Sequence, residues 1–259
     1  MTNLRDGAVA GLAGLLGLLA ACFALPRASA QDGVEPILIL AKFERERASR
    51  DARQLANWIV HSGDNHAGDS RKVSFVILDK KDARLFVFDA NGRLRGAGPA
   101  LLGLGVGDTA LPGIGDRELR SIAPKDRTTP AGRFVASIGP GWNNEDVLWV
   151  DHEGAIAIHR VITTNPKERR LQRLATASPH DNRISYGCIN VPVKFYDYVI
   201  RPAFEGTHGI VYVMPETRPV RPYFSAFDVE GEGDDEKGAA APTLKKVPAA
   251  KRKPGKVVK

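Results

Sequence analysis

From Val73 onward the chain divides into short apolar runs, too brief for helices and closed by turn-forming residues; this limits the available folds more than any other feature. Val73 to Asp79 and Arg84 to Asp89 are β-branched or aromatic and are bounded by charged turns, the pattern of strands. Ala90-Asn91-Gly92-Arg93 carries Asn-Gly, the signal of a two-residue hairpin. Arg95 to Asp116 is Gly-rich and reads as strand edge and loop. Arg133 to Ile138, Val147 to Val150, Gly154 to His159 and Gly209 to Met214 continue the series of strands. The pattern predicts a mostly β domain over 73–215 with a few short helices.

The flanks differ in character. Residues 31–72 form a helical extension, with a helix expected over 34–62. Ala48, Ala52, Leu55, Ala56, Ile59 and Val60 recur at helix spacing, opposite Arg47, Arg50, Asp51 and Arg53. Ser62-Gly63-Asp64-Asn65 ends it. Residues 1–30 read as a signal peptide: Ala8 to Leu25 is apolar and uncharged, and Ala28-Ser29-Ala30 is a small-x-small cleavage site. Leu19-Ala20-Ala21-Cys22 also resembles a bacterial lipobox, a route that would lipidate Cys22 and tether the protein to a membrane. Cleavage before Gln31 is the favoured route, and either one sends the protein to the periplasm or cell envelope. Residues 216–259 form a C-terminal extension. Its acidic run from Asp228 to Glu236 and its Lys-, Ala- and Pro-rich end hold too little apolar surface to order, so a disordered tail is expected.

The net charge of +7 invites a nucleic-acid reading, but export and the lack of a recognition motif argue against it. Acidic envelope polymers or carboxylate-rich substrates fit the charge better. Gly103-Leu104-Gly105-Val106-Gly107 lacks the Gly-Lys-Ser/Thr ending of a phosphate loop. His61 and His66 have no further ligands near them in sequence, so no metal and no cofactor is expected.

The chain has two cysteines, and Cys22 lies in the export segment. Cys188 is then a lone thiol in an exported protein, unable to close an internal disulfide. A nucleophile is one explanation. A candidate base, His159, ends the run Gly154-Ala155-Ile156-Ala157-Ile158-His159. Alternation puts Ala155, Ala157 and His159 on one strand face and Ile156 and Ile158 on the other, so the histidine's face is lined by small residues. His180, in a Pro/Asp/Asn loop, is a second candidate base, and His152 falls in an exposed turn. Between His159 and Cys188, Asn165-Pro166-Lys167-Glu168 reads as a helix start. The helix is expected to reach about Ala175, with Leu171 and Leu174 facing inward. Arg160, Lys167, Arg169, Arg170, Arg173 and Arg183 make this insertion basic: a solvated face, or a clamp for carboxylates. Pro192 opens a helix over Val193 to Ile200, with Phe195, Tyr196 and Val199 packing inward.

Ser185-Tyr186-Gly187-Cys188-Ile189-Asn190, the upstream Ile158-His159, and Thr129-Pro130-Ala131-Gly132-Arg133-Phe134 together resemble the L,D-transpeptidase, or YkuD-type, catalytic domain over roughly Val73 to Met214. The resemblance implies a mostly β sandwich or barrel core and acyl transfer on peptidoglycan stem peptides. Cys188 would be the nucleophile and His159 the general base. The backbone carbonyl of Arg160 would orient the imidazole, and the Gly187 and Cys188 amides would face the oxyanion. The helix opening at Pro192 would favour the thiolate. Tyr186, Asn190, Arg169, Arg173 and Arg183 would contact substrate, and the acceptor amine would come from a second stem or an envelope protein. With water as acceptor the activity would be that of an L,D-carboxypeptidase. This chain departs from the family in having Tyr186 where a histidine is usual and Arg160 where Gly or Ser is usual. Its base-to-nucleophile spacing, 188 − 159 = 29 residues, is also long. Those departures leave two further readings: a binding module with weak chemistry, and a cysteine amidase for other envelope peptides.

Overall fold

The computed structural model describes residue 43 and residues 45–62, 72–141 and 144–224. The expected signal peptide, Cys22, His66 and the charged tail lie outside the described residues. Among the described residues ten strands alternate with short helical turns. The strands are β1 (Phe75–Asp79), β2 (Arg84–Phe88), β3 (Leu94–Pro99), β4 (Leu102–Gly103) and β5 (Gly132–Pro140), then β6 (Asp146–Asp151), β7 (Ile156–Arg160), β8 (Arg183–Ser185), β9 (Ile189–Val191) and β10 (His208–Val213). Eight join in one mixed sheet in the order β3-β2-β1-β10-β5-β6-β7-β9, while β4 and β8 pair separately. The fold is mostly β, as the patterning predicts.

β1 is buried along its whole length because both sheet faces are covered. Phe75 and Ile77 join Phe86, Phe88, Ile210 and Tyr212 on one face, under helix α1 (Arg50–Ser62). Val76 and Leu78 join Val211, Val213, Ile158 and Ile189 on the other. There they meet α3, an unbroken helix that is α over Val193–Phe195, π over Tyr196–Ile200 and α again over Arg201–Phe204. Tyr196, Ile200 and Phe204 are its buried contacts, with Phe195 and Val199 packed beside them.

Four expectations need correction. The stretch 34–62 is not one helix where it is described: Arg47 takes a positive φ of 57°, and α1 starts at Arg50, its first turn capped by the Ser49 hydroxyl accepting from the Ala52 amide at 3.1 Å. The Asn-Gly hairpin is not a two-residue turn. Only Gly92 of that turn has positive φ (76°), and Gly92 N–H donates to the Asp89 carbonyl at 2.9 Å. A two-residue I′ turn would need positive φ at both central residues. The insertion helix is split. A 3₁₀ turn over Pro166–Glu168 ends at Arg169, whose φ of 50° resets the helix phase before α2 (Arg170–Ala175). Leu174 is buried as expected, but that reset leaves Leu171 57% exposed. Finally, the boundary at 215/216 does not end the packed unit. Val220, in the one-turn helix α4 (Val220–Tyr223), and Phe224 share a core cluster with β1 and β10, and the Tyr223 hydroxyl donates to Ala131 O at 2.9 Å.

Candidate active site

β7 and β9 are adjacent parallel strands, with Ile158 opposite Ile189 and His159 opposite Asn190. Ile158 and Ile189 point into the core, so His159 and Asn190 share the other face. Cys188, two residues before Asn190, comes to the same side. His159 and Cys188 both line a cleft of about 310 Å³. The chain between β7 and β9 loops out from two strands that sit side by side, which brings residues 29 positions apart in sequence to one cleft. Ile114, Leu119, Ile122 and Ile162 form an apolar wall of this cleft. No motif flagged that wall.

His159 is buried, and its Nδ1 lies 2.7 Å from the Arg160 carbonyl. A carbonyl only accepts, so Nδ1 carries the hydrogen and Nε2 of the neutral ring is the basic nitrogen. Burial holds the imidazole below its ordinary range, against the Arg160 carbonyl, and the nearby Arg170 cation adds to the depression. Burial likewise pushes the Cys188 thiol up, with the Ala157 backbone and Arg170 opposing. The resting pair is thiol and neutral imidazole. The Cys188 S–H donates to the Ala155 carbonyl at 3.4 Å, and Ala155 holds a positive φ of 53°, a backbone strain beside the thiol. The helix expected to favour the thiolate does not reach it: β9 runs between Cys188 and α3, and a helix end acts only within about its first turn.

The loop before Cys188 is pinned by two hydroxyls. Ser185 Oγ donates to the Cys188 carbonyl at 2.6 Å and accepts the Gly187 N–H at 3.1 Å. Thr129 Oγ1 donates to the Gly187 carbonyl at 2.8 Å and accepts from the Gly103 N–H at 2.9 Å. Gly187 has φ +135°, and a Cβ there would lie 2.8 Å from Thr128 O and 2.7 Å from Ile156 Cδ1; only glycine fits. The Gly187 amide is therefore engaged by Ser185 rather than turned to the cleft, contrary to its expected role towards an oxyanion. Tyr186 lines the cleft with the Arg127 guanidinium 4.0 Å from its ring centre, a cation–π contact.

The expected substrate contacts separate in space. Asn190 lines the cleft, its Oδ1 accepting from Arg170 Nη1 at 2.6 Å. Arg170, which the sequence offered only as one of several clamp candidates, lines the cleft as well. Arg169 is exposed and outside it. Arg173 instead binds the Glu168 and Asp181 carbonyls at 2.8 and 2.7 Å. Arg183 also lies outside the cleft, paired with Glu216 and donating to Lys80 O at 3.1 Å. His180 is exposed and lines no part of the cleft, and exposed His152 stacks on Trp149. His61 sits 2.7 Å from the Asn57 carbonyl. Among the described residues no cluster of three or more His, Cys, Asp or Glu side chains is arranged for a metal.

Arg160 does more than offer a carbonyl. Its Nε donates to Asp197 Oδ1 at 2.7 Å, its Nη1 to Asp146 O at 3.1 Å, and its Nη2 reaches Asp146 Oδ1 at 3.1 Å. Its guanidinium sits 4.3 Å from the Tyr196 ring centre. The side chain thus bolts the end of β7 to β6 and α3, and with it the carbonyl that aims His159. With Cys188 as the expected nucleophile, Arg160→Ala should slow its acylation by roughly tenfold to a hundredfold with KM for the acyl donor unchanged, and Arg160→Lys less. Stopped-flow acylation rates check this, and equal rates in all three proteins would reduce the side chain to a surface ion pair.

No protein-family profile and no curated protein sequence matches the chain. Solved structures similar to it include a variant of the helical cell shape determining protein Pgp2 from Campylobacter jejuni, at 14% identity and TM-score 0.39, over 67% of this chain and 59% of that one. The L,D-transpeptidase LdtMt1 in complex with imipenem is similar at 14% identity and TM-score 0.33, over 55% of this chain and 59% of that one. An L,D-transpeptidase from Xylanimonas cellulosilytica is similar at 16% identity and TM-score 0.35, over 61% of this chain and 68% of that one. The chain thus spans less than two thirds of the length of the first two.

Proposed function

We propose that this chain is an exported cysteine acyltransferase of the L,D-transpeptidase type, acting on peptidoglycan stem peptides in the periplasm or cell envelope. The observation that carries the reading is the delivery of Cys188 and His159 to one cleft by neighbouring strands, with Nδ1 held by the Arg160 carbonyl. In the reaction, His159 Nε2 takes the thiol proton as Sγ attacks the carbonyl of the third stem residue. The tetrahedral oxyanion collapses, the C–N bond breaks, and the terminal D-Ala leaves with the proton from His159. A thioester remains. An amine from a second stem or an envelope protein attacks it, gives its proton to His159, and forms the new amide as the thiolate departs and takes that proton back from His159. With water as acceptor the product is a free acid, the L,D-carboxypeptidase outcome. No step calls for a metal or organic cofactor. The Cys188 amide is the backbone donor left for the oxyanion while Ser185 holds Gly187.

A second reading has its own support. The raised thiol, the engaged Gly187 amide and a tyrosine rather than a histidine at position 186 suit a peptidoglycan-binding module with weak chemistry. Intact-protein mass after incubation with imipenem separates the two. One covalent addition mapped to Cys188 and lost in Cys188→Ala is expected for the acyltransferase; an unmodified protein that still binds muropeptides leaves the module. Muropeptide composition after expressing wild type and Cys188→Ala in a host lacking such crosslinks then distinguishes crosslinking from trimming.

A further inference from the structure

The 161–182 insertion is shaped around one side chain. The Asn165 side chain caps its 3₁₀ turn by accepting from the Lys167 N–H at 3.2 Å, and the positive φ of Arg169 turns the chain so that Arg170 enters the cleft while Arg169 points out. The Arg170 side chain is only 12% exposed. Its Nε donates to Glu168 Oε2 at 2.5 Å and its Nη1 to Asn190 Oδ1 at 2.6 Å, and among the described residues Nη2 makes no further hydrogen bond. Asn190 is the strand partner of His159, so this guanidinium is held on the histidine's side of the thiol. Among the described residues, Arg117 and Arg170 are the charged side chains that line the cleft besides the titratable pair, and no carboxylate lines it.

Resting on the acyl-transfer reading above, we infer that Arg170 recognises the free α-carboxylate of the departing residue of the acyl donor. The connectivity of the substrate supports this. The leaving nitrogen, which His159 must protonate, is bonded to the α-carbon that carries that carboxylate. A donor aligned for protonation by His159 therefore carries its terminal carboxylate within a few bonds of the histidine, on the side where Arg170 stands. A guanidinium already fixed through two of its nitrogens keeps its third edge in place for a carboxylate. The site then takes donors that end one residue beyond the diamino acid and discriminates against donors whose terminus is blocked or extended. Arg170 is a specificity-determining residue, distinct from the nucleophile and the base.

The test uses full-length Cys188→Ala protein, so that binding is read without turnover, and two probes: the stem tetrapeptide ending in D-Ala and the same peptide with only its C-terminal carboxylate amidated. Calorimetry is expected to show the acid bound roughly tenfold to a hundredfold more tightly than the amide, the worth of one charge-assisted contact. Added Arg170→Gln brings the ratio to within about twofold, and Arg170→Lys, a point charge without the fork, retains part of it. An unchanged ratio in the Gln variant, or equal affinities before substitution, overturns the inference. Imipenem adduct formation at Cys188 in the Arg170 variants, run in parallel, reads the parent activity. An adduct without acid preference sinks Arg170 alone, whereas no adduct and no binding of either peptide sinks both.

Discussion

Under the proposed acyl transfer, His159→Gln is expected to lower the rate of Cys188 acylation by about 10²–10⁴ at neutral pH, the usual worth of a positioned base. The pH dependence identifies the cause. Burial holds the imidazole below its ordinary value of 6.5, so in the wild type the unprotonated base predominates at pH 6.5 and the midpoint of the ascending limb lies below that pH. Burial holds the thiol above its ordinary value of 9.0. Without the imidazole the reaction waits for spontaneous ionisation, and the limb moves to alkaline pH beyond 9.0. A variant that is merely slow through misfolding would keep the wild-type profile, so the displaced limb is the diagnostic. His180→Ala leaves both rate and profile unchanged, because His180 is exposed and lines no part of the cleft. Quench-flow acylation between pH 5 and 10 measures all three. Coincident profiles for wild type and His159→Gln would remove the histidine from the mechanism.

The second large effect is on folding. Lys80→Met destabilises the protein by about 3–5 kcal/mol, the cost of leaving buried charges without their partner. The Lys80 side chain is fully buried, with Nζ donating to Gly107 O at 2.7 Å, to Asp108 Oδ1 at 2.9 Å and to Thr129 O at 2.9 Å. Glu216 lies 3.4 Å away and pairs with Arg183. Asp108 also accepts from the Glu216 and Thr217 amides at 2.7 and 2.9 Å and from the Thr217 hydroxyl. Burial alone would raise its carboxyl; the Thr217 and Glu216 hydrogen bonds and Lys80 outweigh it and bring the pKa to about 2. A carboxyl depressed in the folded state stabilises it above the ordinary 3.8 and loses that contribution as pH falls from 3.8 towards 2. Removing Lys80 weakens the depression, so the acid-unfolding midpoint of Lys80→Met moves up as its urea midpoint at pH 7 moves down. The pair Lys80→Met with Asp108→Asn costs less than the two changes added, since no carboxylate is then left unpaired there. A urea midpoint within error of wild type would mean that water reaches the site and screens it. The cluster also bears on the chemistry, because Thr129, whose carbonyl Lys80 holds, grips the Gly187 carbonyl through its hydroxyl.

How much of this was legible follows from the kind of residue involved. Strands Phe75–Asp79, Arg84–Phe88 and His208–Val213 were readable because a β-branched run has few other uses for its apolar surface. The cysteine and histidine were readable because their chemistry is rare and their motifs local. Lys80 was not: Lys80-Lys81-Asp82 has the composition of a solvated turn, and only the return of Asp108 and Glu216 from 28 and 136 positions later (108 − 80, 216 − 80) makes Lys80 a core residue. Leu171 misled for the opposite reason. Its spacing from Leu174 suits a continuous helix, and a single positive φ at Arg169 broke the phase.

The amino-acid order alone determined which segments form strands, that a lone thiol follows a strand-borne histidine, and that a basic insertion separates them, since each is a matter of local periodicity or residue chemistry. The tertiary structure decided what those parts face. Parallel register between β7 and β9 brought Cys188 and His159 to one cleft, and a left-handed residue chose Arg170 over its neighbours to enter it. Burial lowered the proton affinity of His159 and raised that of Cys188. Register, exposure and desolvation are properties of chain segments packed against one another, and no window of sequence contains both sides of such a contact.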